Sequence, residues 1–211
     1  MSILVEIGEA LEKGKRKLVI QYVQQALEEG IAPQTILTEG LLPGMDRVGV
    51  KFRDNEIFVP EVLVAARAMG AGTELLKPLL AGEDGASMGT TIIGTVKGDL
   101  HDIGKNLVKM MIEGKGINVI DVGVDVDAET FVQAAIEHNA KLICCSSLLT
   151  TTMPAMGDVV KAAEAAGIRG NVKIMVGGAP VTQEFADSIG ADCYTADAAS
   201  AAIAAANYLK S

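Results

Sequence analysis

The stretch GTVKGDLHDIGKNLV, Gly94 to Val108, sets His101, one of only two histidines in the chain, on a glycine-rich turn between Asp99 and Asp102. Such a turn could cradle a phosphate, but the residue types oppose it. A P-loop needs G-x-x-x-x-G-K-[ST], whereas Asp99 stands five residues before Gly104 and Asn106 replaces the magnesium-binding hydroxyl. The dinucleotide fingerprint G-x-G-x-x-G is absent too, since Gly98 and Gly104 lie six apart, and two aspartates would repel a phosphate. Metal ligation is a better use of these residues. A neutral imidazole ligates through one nitrogen while a carboxylate holds the proton on the other, and Asp99, two residues before His101 in an extended loop, can reach that proton. One His and one Asp do not complete a zinc site, but they can supply the one ligand missing from a metal already held by a macrocycle. Taken alone, the pattern fits an Asp helix cap beside a solvated histidine better than it fits a metal ligand.

The elements that must carry this turn follow from periodicity. Up to about Leu80 the apolar residues recur three and four apart, predicting helices over Ile3–Leu11, Lys17–Leu27, Pro33–Phe52 and Pro60–Leu80, joined by short connections into an antiparallel bundle. Ala81–Gly89, AGEDGASMG, reads as a linker. Beyond it, the apolar runs TTIIGTV, INVIDVG, KLICCSS, VKIMVGG and the short CYT alternate with helical stretches at Ile103–Glu113, Ala128–Asn139, Pro154–Ala166, Gln183–Ile189 and Ala198–Leu209. Apolar strands alternating with helices predict a doubly wound α/β domain with a parallel sheet of about five strands. Ligands of such sheets gather at the carboxyl ends of the strands, and His101 follows the first strand directly. The expected boundary puts a helical domain at 1–85 and an α/β domain at 86–211.

Composition narrows the partners. A net charge of −9 and an isoelectric point near 4.7 oppose binding to nucleic acid or an anionic membrane, which calls for clustered Lys and Arg. No apolar run approaches the roughly 18 residues of a bilayer span and no signal-peptide pattern opens the chain, so the expected location is the cytoplasm. Cys144, Cys145 and Cys193 form no C-x-x-C pair and read as buried hydrophobes. His138, among polar neighbours on a helix, reads as solvated.

DLHDIG, Asp99–Gly104, resembles the Asp-x-His-x-x-Gly signature of cobalamin-binding domains in which histidine is the lower cobalt ligand. The Ser-x-Leu element and the later Gly-Gly pair of that family are present as Ser146-Ser147-Leu148 and Gly177-Gly178, after intervening stretches of 41 residues (105–145) and 28 residues (149–176). The longer string is similar to the cobalamin domain of methionine synthase and to small corrinoid proteins of methyltransferase systems. The helical segment containing FVPEVLVAARAM, Phe58–Met69, resembles the cap that precedes this domain in both.

The resemblance implies cobalamin or a related corrinoid as cofactor, cycling between Co(I) and methyl-Co(III), with His101 as axial ligand and Asp99 as its hydrogen-bond partner. It implies that Gly98 and Gly104 are close-approach positions beneath the corrin ring, that Asp102, which starts the helix, and Ile103 are among the cofactor-binding residues, that Ser146, Leu148 and Thr150 line a slot for the nucleotide tail, and that Gly177 and Gly178 let the tail approach the backbone. Thr152 falls where methionine synthase has the serine that extends the His-Asp relay. Phe58 and Met69 would meet the methyl-bearing face, although ordinary bundle core explains their spacing equally well. The implied function is a methyl carrier, not itself an enzyme, served by a donor-specific methyltransferase, an acceptor methyltransferase passing the methyl to a thiol or tetrahydrofolate, and a reductive activase. An adenosylcobalamin mutase small subunit would lack residues 1–80, a cobalamin-dependent sensor would need a DNA-binding segment, and a receiver or flavodoxin-like module would leave the Ser-x-Leu and Gly-Gly spacings to chance.

Overall fold

The computed structural model describes residues 2–80 and 89–210; the linker expected at 81–89 lies, but for Gly89, outside them. The described residues form two compact units, one made of the helices up to Leu80 with residues 114–116 joined to it, the other of the remaining residues.

In the first unit the expected helical spans appear as α1 (Ile3–Glu12), α2 (Arg16–Glu28), a helical run over 33–53, and α5 (Val59–Leu80). Each buries a stripe at helical spacing, such as Ile3, Ile7 and Leu11 on α1 and Val19, Val23 and Ala26 on α2. The run over 33–53 is not the uniform α-helix expected. It comprises α3 (Pro33–Thr35), a π-helical turn Ile36–Leu41 and α4 (Leu42–Arg53). Pro43 has no N–H for the carbonyl of Glu39, and the wider turn just ahead of it makes room for the ring. At the start of α5 the Glu61 carboxylate accepts the Phe58 backbone N–H at 3.0 Å, half of a capping box.

The second unit holds five parallel strands, β1 (Thr90–Val96), β2 (Asn118–Val126), β3 (Leu142–Ser146), β4 (Lys173–Gly177) and β5 (Cys193–Tyr194), in the order β2-β1-β3-β4-β5. Helices α6 (Ile103–Glu113), α7 (Ala128–Glu137), α8 (Pro154–Ala165), α9 (Gln183–Ser188) and α10 (Ala198–Lys210) alternate with them. The doubly wound fold is therefore the one expected. On one face Ile92, Val96, Ile143 and Val176 pack with Phe131, Met156 and Val159 into the main core. On the other face α6 packs against α10. The buried positions of α10 are all alanines, Ala198, Ala199, Ala201, Ala202, Ala205 and Ala206. Side chains that small do not fill the layer above the sheet, and a cavity remains there.

The chain turns to β2 on one side of β1 and later crosses to β3 on the other, so the switch point of the sheet lies between β1 and β3. The loops leaving these two strands carry His101 and Ser147-Leu148. Among the described residues no helix is long and apolar enough to cross a membrane.

Candidate functional site

The loop after β1 is built around Asp99, whose carboxylate is fully buried, at 0% exposure. One oxygen, Oδ1, accepts the backbone N–H of His101 at 3.0 Å and meets His101 Nδ1 at 2.8 Å. The other, Oδ2, accepts the N–H groups of Leu148 at 2.7 Å and Leu149 at 3.3 Å and the hydroxyl of Thr152 at 2.9 Å. Thr152 Oγ1 lies 2.7 Å from Ser147 Oγ, and each hydroxyl has one proton, so with Thr152 donating to Asp99, Ser147 donates to Thr152. Burial alone pushes the Asp99 carboxyl up. The His101 and Leu148 amides, the imidazole and the Thr152 hydroxyl outweigh it and hold the group well below the usual carboxylate range. An ionised carboxylate at Nδ1 fixes the proton on that nitrogen and leaves the Nε2 lone pair as the ligating end. Thr95 Oγ1 donates to the His101 carbonyl at 2.8 Å and pins the backbone as well.

His101 stands at the edge of a cavity of about 590 Å³, a volume suited to a cofactor-sized ligand, over the carboxyl ends of β1, β3 and β4. Its floor is apolar, with Ile93, Leu107, Val108, Cys144 and Met175. Burial pushes the Cys144 and Cys145 thiols up, so both stay protonated and behave as small hydrophobes. Leu100 and Ile103, at 71% and 82% exposure, and Leu148 leave an apolar surface open beside the histidine. Among the described residues no three His, Cys, Asp or Glu side chains converge, so a metal at His101 must bring its remaining donors with it.

Of the residues singled out in the sequence, His101, Asp102, Ile103, Gly104, Ser146, Leu148, Gly177 and Gly178 all border the cavity. Asp99 and Thr152 lie buried behind the imidazole. Asp102 opens α6, its carbonyl accepting the Asn106 N–H at 2.7 Å. Gly98 does not border the cavity. It sits at φ +83°, and a Cβ there would lie 3.3 Å from Thr152 Cγ2, so the turn itself accounts for glycine. Gly104 is the opposite case. It has no positive φ and its missing Cβ would meet nothing within 4 Å, so the protein's own packing does not explain a glycine beside the cavity, whereas a closely seated ligand does.

Thr150 is exposed and stands outside the cavity lining. Gly178 borders the cavity and is also required as glycine by the chain itself, since its Cβ would fall 1.8 Å from the Ser147 carbonyl oxygen at φ +140°. In the helical unit Phe58 is 63% exposed but Met69 is only 3% exposed and offers no free surface.

The sequence assigns no role of its own to Ser147. Ser146 and Ser147 both border the cavity, and Ser147, 1% exposed, also joins the Asp99 network through Thr152. Lys105 was also unassigned. It is buried, with Nζ 2.5 and 2.6 Å from the two oxygens of Asp121, and ties the first turns of α6 to β2. A lysine near a helix start ordinarily reads as solvent-facing, and nothing local in the sequence signals its pairing with Asp121, sixteen residues on.

Residues 89–206 match the family model described as B12 binding domain, and residues 3–77 match a second model of the same description. The chain belongs to the B12-binding proteins. Dimethylamine corrinoid protein 1 of Methanosarcina acetivorans is 45% identical over 208 residues, spanning 98% of this chain and 97% of the relative. Trimethylamine corrinoid protein 1 of Methanosarcina mazei is 42% identical over 194 residues, or 91% and 90% of the two chains. The structure of the methanol:cobalamin methyltransferase complex MtaBC from Methanosarcina barkeri matches with a TM-score of 0.88 at 31% identity, covering 99% of this chain and 80% of that chain. The residues present fit B12. An imidazole with its distal nitrogen held, an apolar cavity beside it and a glycine with open space at its Cβ are what a large planar ligand with an inserted tail requires.

Proposed function

We propose that this B12-binding protein is a corrinoid methyl carrier whose cobalt is ligated by His101 Nε2, with the nucleotide tail of the cofactor in the cavity beside β3 and β4. The bound corrinoid supplies a cobalt that accepts a methyl group and gives it up. The observation that carries the reading is the 2.8 Å His101 Nδ1–Asp99 Oδ1 pair at the edge of a 590 Å³ cavity at the switch point of the sheet. Asp99 orients the ring and keeps its proton at Nδ1, and Thr152 and Ser147 hold Asp99 ionised and pass a proton toward or away from the pair. Ile103, Gly104 and Leu148 exclude water from one side of the ring, and Ser146, Gly177 and Gly178 border the tail. Phe58, which is exposed, is assigned to the methyl-bearing side.

The corrinoid proteins among the relatives, and the methyltransferase complex among the similar structures, favour a carrier served by separate enzymes. The partners proposed are a donor-specific methyltransferase, an acceptor methyltransferase and a reductive activase, acting in the cytoplasm. The dimethylamine and trimethylamine relatives favour a methylated amine as donor. Reconstitution with cobalamin tests the ligand directly: wild type is expected to give the absorbance of histidine-ligated cobalt, and His101→Ala to lose it while the fold is retained. Identical spectra would sink the axial-ligand reading. Methyl transfer from a methylated amine is expected only when both partner methyltransferases are added, and rapid turnover by this chain alone would rule out the carrier role.

A further inference from the structure

Strand β2 lies at the edge of the sheet and is not regular. Ile93 and Gly94, one step apart on β1, pair with Asp121 and Gly123, two steps apart, and Gly94 and Val96 pair with Gly123 and Val126, which are three steps apart rather than two. The strand therefore carries two bulges within six residues, a device that bends an edge and redirects side chains near functional sites. At the second bulge Asp125 has φ +54°. That conformation is unfavourable for a residue with a Cβ, and glycine would adopt it freely. What Asp125 adds over glycine is a carboxylate, whose Oδ1 accepts the Gly98 N–H at 2.8 Å and faces Lys97 Nζ at 3.4 Å. Its own N–H donates to the Asp99 carbonyl at 2.9 Å.

We propose that Asp125 is a positioning residue for His101: from the bulged edge strand it grips Gly98 through its side chain and Asp99 through its backbone, and so fixes where the Asp99–His101 pair stands. The inference rests on His101 as the cobalt ligand, and it assigns a task to a residue that touches neither the imidazole nor the cavity. The geometry accounts for both irregularities of β2. The bulge carries Asp125 to the level of the turn after β1, and the left-handed backbone aims its N–H and its carboxylate at the same two residues. Asp121, at the first bulge, accepts the Gly123 N–H at 3.0 Å and both contacts of Lys105, so the edge strand holds the start of α6 as well as the turn.

Asp125→Gly separates the side chain from the backbone, since it retains the left-handed conformation and the N–H to Asp99 while removing the acceptor of Gly98. In the cofactor-free protein, amide hydrogen exchange at Gly98 is expected to quicken about tenfold, the loss of one hydrogen bond, while the amides of β3 keep their rates. After reconstitution with cobalamin the fraction of histidine-ligated cobalt is expected to fall, and Asp125→Asn, which keeps a side-chain oxygen and tolerates positive φ, is expected to restore both readouts. Unchanged Gly98 exchange and an unchanged spectrum in Asp125→Gly would overturn the proposal, as would equal losses in the Gly and Asn variants. A wild-type protein without a histidine-ligated spectrum would instead refute the axial-ligand reading, and the Gly98 exchange would still report on the grip of Asp125.

Discussion

Replacing Asp99 by Asn is expected to destabilise the protein by about 3 kcal/mol or more, despite the near-identity in size. Every neighbour of the carboxylate is a donor: the amides of His101, Leu148 and Leu149, the imidazole Nδ1 and the Thr152 hydroxyl. Whichever way the Asn amide is turned, its NH2 group faces backbone N–H donors that no water can reach, because the position has 0% exposure. The denaturant midpoint reads this loss, and a change below about 0.5 kcal/mol, within the range of an ordinary surface substitution, would refute the burial and hydrogen bonding described. The same group predicts a pH dependence. Its folded-state pKa lies below the ordinary carboxylate value of about 3.9, so ionised Asp99 stabilises the fold above that pH, and the contribution is lost as the pH falls from there toward the depressed folded value. Asn cannot titrate, so the difference in stability between wild type and Asp99→Asn is expected to shrink on acidification through that window. A difference that stays constant or grows would contradict the direction of the shift.

Gly178→Ala is expected to be comparably damaging, at about 3 kcal/mol or more, for a reason unconnected with charge. A Cβ at that position would sit 1.8 Å from the Ser147 carbonyl oxygen, with φ at +140°, and no side-chain adjustment relieves a clash with backbone. The loops after β3 and β4 would have to separate, breaking the 3.2 Å bond from the Ser147 N–H to the Gly177 carbonyl. Because Ser147 also touches Thr152 and Asp99, the displacement should reach the histidine and lower cofactor affinity as well as the melting temperature. Gly177→Ala is the control. Its Cβ would stand 3.4 Å from the Thr195 carbonyl oxygen, an ordinary contact, and its cost is expected to stay near 1 kcal/mol or less. Equal thermal shifts in the two variants would show that the close approach at Gly178 is not what selects glycine there.

The sequence is informative where chemistry is local. Asp99 and His101 are two residues apart on a turn, and geometry within that span hardly depends on the rest of the chain, so their hydrogen bond could be anticipated. The alternation of apolar strands with amphipathic helices dictated a covered parallel sheet, and the sheet dictated a site at the carboxyl ends of its strands. The helical spans up to Leu80 were likewise visible in their three-and-four spacing. Less legible was the π-helical turn ahead of Pro43, because hydrophobic spacing carries no record of which carbonyl a missing N–H leaves unpaired.

Other features depend on contacts between segments far apart in sequence. Ser146 and Ser147 are identical as residues and both border the cavity, and only the tertiary structure decides that Ser147 is the one whose hydroxyl reaches Thr152 and Asp99. Strand β2 runs to Val126, three residues beyond the expected INVIDVG, and its bulges arise from pairing with β1, so the role of Asp125 opposite Gly98 had no sequence signal. The sequence by itself determined the alternating fold, the histidine and its carboxylate, because periodicity and short-range reach are written residue by residue. The tertiary structure alone decided which of two serines, which of two glycines and which edge-strand aspartate serve that histidine, because strand phase, close backbone approach and bulge register exist only once the strands are paired.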